Sequence, residues 1–492
     1  MPIDALPDPA VAPAAAPLDA ALLGSLDPLF ADYLASAQVP GLVWGIVAGG
    51  RLVHVRGLGV QDIESRRPVT VDTLFRIASM TKAITAMTVL KLRDDGRLQL
   101  DALAETYVPE MRGWAYPTLD SPRIRVRDLL NHTAGFVTDD PWGDHQTPLP
   151  DAAFTQLLRD GLPFSRPPGT AMEYSNLGYA LLGRIVANAT GRPYADVVAD
   201  TLLRPLGMDA SGFRFDAAPA ERRALGYRRQ DDTWQREPDL AHGAFSPMGG
   251  LQTSARDYAR WVAFLLDAWP ARDAPDNGPV RRATVREMAQ GSNFPELMPG
   301  RQGPAGVGPR RAAVYAMGLT AVADADLGLY LSHGGGYPGY GSYMMLLPEH
   351  GVGLFAFANR TYSGPARPVA EAALKLMAAG ALKPRATAVS AALASASQAV
   401  VTIFGRGDIA AAGDVLAMNI LLDRDAATWA RTLAQLQQQA GTCDTSPAVV
   451  ATGALSGRFT WPCAQGHIAG HVLLTPTQPP RIQEIGLRHQ AP

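Results

Sequence analysis

Two strand-rich stretches held far apart in the sequence constrain this chain most. Leu42 to Ala48 and Leu52 to Leu58, joined at Gly49-Gly50, read as a hairpin. The period-two pattern returns only near Val314, in Ala313 to Ala321, Leu327 to His333, Ser342 to Leu347 and, after a Pro348-Glu349-His350-Gly351 turn, Val352 to Ala358. Strands at both ends with helices and long loops between them predict an α+β fold. Its antiparallel sheet is built from the two ends, flanked by helices, with a helical subdomain inserted. A helix at Pro28 to Ala37, with Asp27 as its expected cap, precedes the hairpin, and one at Ala366 to Ala379 closes the domain. The cleft between sheet and insert is where an active site is expected.

At 492 residues the chain exceeds one ordinary domain. Three regions are expected: an N-terminal tail over 1–25, a large domain over 26–384, and a small α+β accessory domain over 385–492. In the last, Thr387 to Thr402 reads as linker or helix and Asp425 to Ala440 as a helix, followed by strands at Gly457 to Trp461, His467 to Leu474 and Arg481 to Leu487. Cys443 and Cys463, both in this module, read as a disulfide and favour an oxidising compartment. Met1 to Leu22 is acidic and rich in Pro and Ala, without the basic start and apolar stretch of a signal peptide, which by itself reads as cytoplasmic. Such a tether also precedes periplasmic domains, and with the cysteines the reading favours a periplasmic or secreted protein, cytoplasmic being the alternative.

Composition excludes several classes. A net charge of −2 gives no general attraction to nucleic acid or anionic membrane, and no apolar run is long enough to span a bilayer. No zincin motif, phosphate loop or dinucleotide fingerprint is present, so no cofactor is expected. Cys463, His467 and His471 do not make a zinc site, because strand residues four apart reach well apart and no fourth ligand is evident. Oligomeric state is left open.

The chemistry points to Ser79-Met80-Thr81-Lys82. Ser79 to Arg93 reads as a helix ended by Asp94-Asp95-Gly96, so Ser79 and Lys82 lie one turn apart. An amine beside a hydroxyl can take its proton once burial lowers the lysine pKa. The chain has four lysines against 40 arginines, so a lysine here is a choice, since arginine cannot be deprotonated. Tyr174-Ser175-Asn176, between Pro167-Pro168-Gly169 and the apolar run Leu177 to Val186, can point a phenol and an amide into one cleft from a loop-to-helix junction. Standing alone, Tyr174 reads as a core aromatic. His333-Gly334-Gly335-Gly336 lacks side chains where a substrate could approach backbone N–H groups.

In this order the three segments resemble the Ser-x-x-Lys, Tyr-x-Asn and Lys-Thr-Gly signatures of the serine β-lactamase and penicillin-binding-protein-like hydrolases. The likeness is to the class C β-lactamase, D,D-carboxypeptidase and family VIII esterase branch, peptidase family S12, and runs from about residue 26 to about 382. Leu129 to Gly135, Leu206-Gly207-Met208 and Gly249 to Ser254 agree with it. The resemblance implies a β-lactamase/transpeptidase-like fold and two-step acyl transfer through Ser79, with Lys82 or Tyr174 receiving its proton. Asn176 would bind the substrate amide or Lys82, His333 and Gly335 would line the substrate site, and the N–H groups of Ser79 and Gly336 would form the oxyanion hole. His333 departs from the family's lysine and is mostly neutral at pH 7, and Gly334 lacks the usual hydroxyl. Recognition of a substrate carboxylate is therefore weakened, and small esters, amides or peptides without one, D-amino-acid amides included, are the expected substrates, with weak or no β-lactamase activity. A penicillin-binding sensor that acylates without turnover is the alternative. His132 reads as structural; Trp142, His145, Tyr337 and Tyr340 read as pocket lining or loop anchors.

Overall fold

The computed structural model describes residues 18–491 apart from 273, 304, 305 and 386. They form two compact units, one ending at Pro384 and one beginning at Arg385. Residues 1–17 of the expected tail lie outside the described residues, and Ala20–Gly24, inside it, is a short helix capped by Asp19.

The first unit is built on an eight-stranded sheet: β1 (Gly41–Ala48), β2 (Arg51–Gly59), β3 (Glu296–Met298), β4 (Arg311–Tyr315), β5 (Thr320–Asp324), β6 (Gly328–Tyr337), β7 (Tyr340–Leu347) and β8 (Val352–Ala358). Their spatial order is β2-β1-β8-β7-β6-β5-β4-β3, antiparallel throughout. The N-terminal and C-terminal strands of this unit thus meet at β1–β8, the second and third strands from one edge of the sheet. One expected strand, Ala313 to Ala321, is two, because the chain reverses between Tyr315 and Thr320 with Gly318 at φ +77°. Gly318 permits that turn where a residue with a Cβ would be strained.

Every residue of β8 is buried, which explains its unbroken apolar run. Phe355 and Phe357 enter one core; Leu354, Ala356 and Ala358 enter the other. The second core is covered by α1 (Asp27–Ser36) and the helix of Ala366–Ala378, through Phe30, Tyr33, Val369, Ala372 and Leu376. The first is covered by α2 (Thr81–Asp94), α3 (Asn176–Thr190) and α4 (Ala255–Leu266). Asp27 is not a cap: it is the first residue of α1, and its carboxylate takes His54 at 2.9 Å and Arg56 at 3.1 Å from β2. α2 is buried almost all round, the pattern of a helix at the centre of a large domain.

In the second unit, helices Ala391–Arg406 and Ala426–Ala440 pack on a four-stranded antiparallel sheet (Val450–Gly453, Ser456–Cys463, Gly466–Leu474, Ile482–Gln490). Cys443 and Cys463 are joined by a disulfide, His467 pairs with Gln490, and His471 with Glu484.

Trp44 of β1 is fully buried and stacks on Phe30 of α1, ring centroids 4.0 Å apart. Trp44→Ala is expected to cost about 3–5 kcal/mol of stability, measured by denaturant unfolding; a loss below about 1 kcal/mol would show that the α1–sheet contact is not fixed by this pair.

Candidate active site

Ser79 lies in a 3₁₀ turn, Ala78–Met80, that leads into α2, so the helix proper starts two residues later than the periodicity suggests. The cause is Ala78, whose φ of +50° puts a non-glycine residue in the left-handed region directly before Ser79. This kink presents the hydroxyl at the helix start, where the Ser79 N–H has no intrahelical acceptor. β6 presses on the same turn: a Cβ added at Gly335 would lie 2.4 Å from the Ile77 carbonyl oxygen and 3.0 Å from Ala78 Cβ. Gly335 is therefore required for the strand and the Ser79 turn to touch.

Lys82 is completely buried and donates to three acceptors: Ser79 Oγ at 3.1 Å, Asn176 Oδ1 at 2.7 Å and the Met248 carbonyl at 2.9 Å. Burial pulls its pKa down to about 8, against the opposing pull of Asp140, Asp144 and Asp139. When the amine is neutral, two protons satisfy Asn176 and Met248 and the lone pair is left facing Ser79. Asn176 is thus a ligand of Lys82, one of the two roles expected for it. It is held by the Ser175-capped start of α3 and by Asp139, which accepts from the N–H groups of Asn176 and Leu177 at 2.6 and 2.8 Å.

Tyr174 lies beside Ser79, whose side chain acts on its phenol, and its ring centroid is 4.7 Å from Lys82 Nζ. Burial holds its phenol well above the ordinary tyrosine value, so it stays protonated. His132, expected to be structural, has φ +60°, stacks on Tyr174 at 4.4 Å and accepts the Ser175 N–H at its Nδ1.

His333 is buried, with Nδ1 at 2.6 Å from the Gly334 carbonyl and Nε2 at 3.0 Å from the Tyr315 hydroxyl. A carbonyl only accepts, so Nδ1 carries the proton and Nε2 accepts from Tyr315. Burial and the charge of Lys82 lower its pKa to about 4, making it a neutral positioning group. Beyond it the pairing of β6 with β5 ends at Ser332, which leaves residues 333–337 an open edge among the described residues.

Tyr337 and Tyr340 do not line the pocket. Both are buried anchors whose hydroxyls bond Thr147 at 2.6 Å and the Ala224 carbonyl at 2.8 Å. Trp142 and His145 sit at the surface on the helix Trp142–His145, Trp142 packing edge-on against Phe245.

The sequence reading missed the acidic rim. Asp140 bonds Asn176, and Asp144 accepts the Tyr362 hydroxyl at 2.9 Å. Burial and the neighbouring Asp140 push Asp144 up to about 7. Among the described residues no arginine pairs with Asp139, Asp140 or Asp144, so Lys82 is the cation they face. Three aspartates within six positions, directly after the Asn131-His132 loop, were the available signal.

The Beta-lactamase family model matches residues 26–379. Protein flp of Staphylococcus aureus is 27% identical over 342 residues, 68% of this chain and 62% of its own length, so the chain spans less than two thirds of that relative. Esterase EstB of Burkholderia gladioli is 34% identical over 336 residues, 63% of this chain and 83% of EstB. Among solved structures, the octameric penicillin-binding protein homologue from Pyrococcus abyssi superposes with a TM-score of 0.59 at 18% identity, covering 95% of this chain and 98% of that one. A class C beta-lactamase does so with a TM-score of 0.56 at 21% identity, covering 73% and 96%. Both share the fold.

His132 and His333 are neutral when folded and titrate near 6.5 when unfolded, so below that pH the unfolded chain binds more protons. Their contribution to stability is complete above about pH 6.5 and is lost as pH falls toward the folded values, near 4 for His333. The melting temperature is expected to drop across that window while the imidazole resonances of His333 stay in their neutral positions; an imidazolium signal at about pH 6 would refute the assignment.

Proposed function

The chain belongs to the beta-lactamase family of serine β-lactamase and penicillin-binding-protein-like hydrolases, and on that premise we propose that it hydrolyses small esters or amides through an acyl-enzyme on Ser79. The observation that carries this reading is the buried Lys82, held by Asn176 and Met248 with its third bond on Ser79. A lysine with a pKa near 8 has an accessible neutral form at neutral pH, whereas Tyr174 is pushed away from its anionic form. Lys82 is therefore the general base in this proposal, and Tyr174 passes or returns a proton at the Ser79 oxygen.

The steps follow. Ser79 Oγ bonds to the substrate carbonyl carbon as its proton moves to Lys82. The Ser79 and Gly336 N–H groups hold the oxyanion. Collapse expels the alcohol or amine, which takes the proton back. Water then attacks the acyl-enzyme by the same route and releases the acid.

Electrostatics support substrates without a free carboxylate. The family's cationic lysine is replaced by neutral His333, and Asp140 and Asp144 lie close to Lys82. An anion here meets repulsion in a site of low dielectric. The likeness to a protein named as an esterase supports ester substrates. The disulfide supports an oxidising, periplasmic or secreted location, and residues 385–492 are read as an accessory domain outside the chemistry.

The test is intact-protein mass during turnover of a nitrophenyl ester, a D-alanine anilide and a cephalosporin. A transient adduct on wild type, none on Ser79→Ala, and turnover of the ester or anilide in preference to the cephalosporin are expected. An adduct that forms once and never clears would instead make the protein a sensor. Because the neutral amine is the active form, kcat/KM should rise with pH to a plateau above about 8. Lys82→Arg, charged at all pH values, should lose at least about a hundredfold; a flat pH profile would remove Lys82 as the base.

A further inference from the structure

We propose that Tyr362 is the specificity-determining wall of this site, limiting the length of acyl group that fits beside Gly336. The proposal rests on Ser79 being the acylated residue. Tyr362 follows β8, is 46% exposed, and has φ +53°. A bulky aromatic in the left-handed region is strained, and a strained residue at the rim of a candidate site points to function. Its ring lies over Gly336: a Cβ added there would sit 2.6 Å from Tyr362 Cδ1.

Two bonds hold it there. Its N–H is shared between the carbonyls of Tyr337 and Tyr340, at 3.4 and 3.2 Å, at the tip of the β6–β7 hairpin. Its hydroxyl donates to Asp144 across the cleft. Asp144 belongs to the segment that presses on Asn176, where a Cβ added at Gly143 would lie 2.8 Å from Asn176 Cβ. The contacts therefore run from Ser79 through Lys82, Asn176, Gly143-Asp144, Tyr362 and Gly336-Gly335 back to the Ile77–Ala78 turn. On the Tyr362 side, one half-exposed side chain covers Gly336.

A carbonyl whose oxygen reaches the Gly336 N–H has its acyl substituent running along β6 toward whatever covers Gly336. The substituent meets the Tyr362 ring. Short acyl groups fit inside these contacts; long ones require the phenol to leave Asp144. The leaving group departs on the opposite side of the carbonyl carbon and is not limited by this residue.

The experiment compares wild type, Tyr362→Gly and Tyr362→Phe on nitrophenyl esters from acetate to octanoate. In parallel it measures labelling of Ser79 by short- and long-chain alkyl fluorophosphonates. Glycine accepts the positive φ without strain, so Tyr362→Gly should keep the wild-type melting temperature. Wild type should prefer acetate. Tyr362→Gly should raise the octanoate-to-acetate ratio of kcat/KM by at least about tenfold, and raise the long-to-short labelling ratio alike. Tyr362→Phe, which keeps the ring and loses the bond to Asp144, should shift both ratios less. A merely structural tyrosine would lower acetate and octanoate turnover together and leave the ratios unmoved, which overturns the proposal. If Tyr362→Gly is unstable, Tyr362→Asn, whose short side chain tolerates the positive φ, decides, with no shift in either ratio counting against the wall. Labelling of Ser79 with unmoved ratios sinks the wall alone; esterase activity surviving in Ser79→Ala sinks the acyl-enzyme reading; a wild type neither labelled nor active sinks both.

Discussion

A single buried ammonium group organises the catalytic half of the molecule. Lys82 is buried away from solvent, so its three protons must find acceptors, and the fold supplies one from the turn that opens its helix, one from the start of α3 and one from the Met248 carbonyl. An uncompensated buried charge is costly enough to misplace any segment that failed to deliver its oxygen. The requirement to satisfy Lys82 therefore fixes the same geometry that chemistry needs. It also explains the acids nearby: Asp139 orients Asn176, and Asp140 and Asp144 keep the lysine from losing its proton altogether.

The nucleophile turn is the second fixed point. Ala78 is held left-handed between the Gly249 segment on one side and the side-chain-free face of Gly335 on the other. Ser342 Oγ, on the strand paired with β6, bonds the Ile77 carbonyl at 2.7 Å. Sheet and inserted helices are thus stitched together at the turn that carries Ser79, which is why the candidate site lies at their junction.

The sequence made the two ends of the sheet, the buried α2 and the motif residues legible, because each has a local signature in period, spacing or composition. Ser79, Lys82, Tyr174, Asn176 and His333 come together as their order suggested. What stayed hidden is tertiary. Asp144 and Tyr362 lie 218 positions apart, and neither has a local pattern that announces the other. Tyr337 and Tyr340 look like pocket residues beside a glycine run, yet strand alternation and two distant partners turn them inward. His333 was readable as a mostly neutral group, but the depth of its neutrality comes from burial and from Lys82, which spacing does not reveal. Asp27 was misread for a similar reason: its partners are on β2 and not in its own helix.

The open edge of β6 has a consequence for the protein as a colloid. An unpaired strand edge is a template on which another chain can add, and the glycine run 334–336 offers little side-chain bulk to prevent it. Here only Gly334 is exposed, His333, Gly335 and Tyr337 being buried, and Tyr362 lies over Gly336. The same phenol that narrows the pocket also blunts the edge, so solubility and selectivity are tied to one side chain.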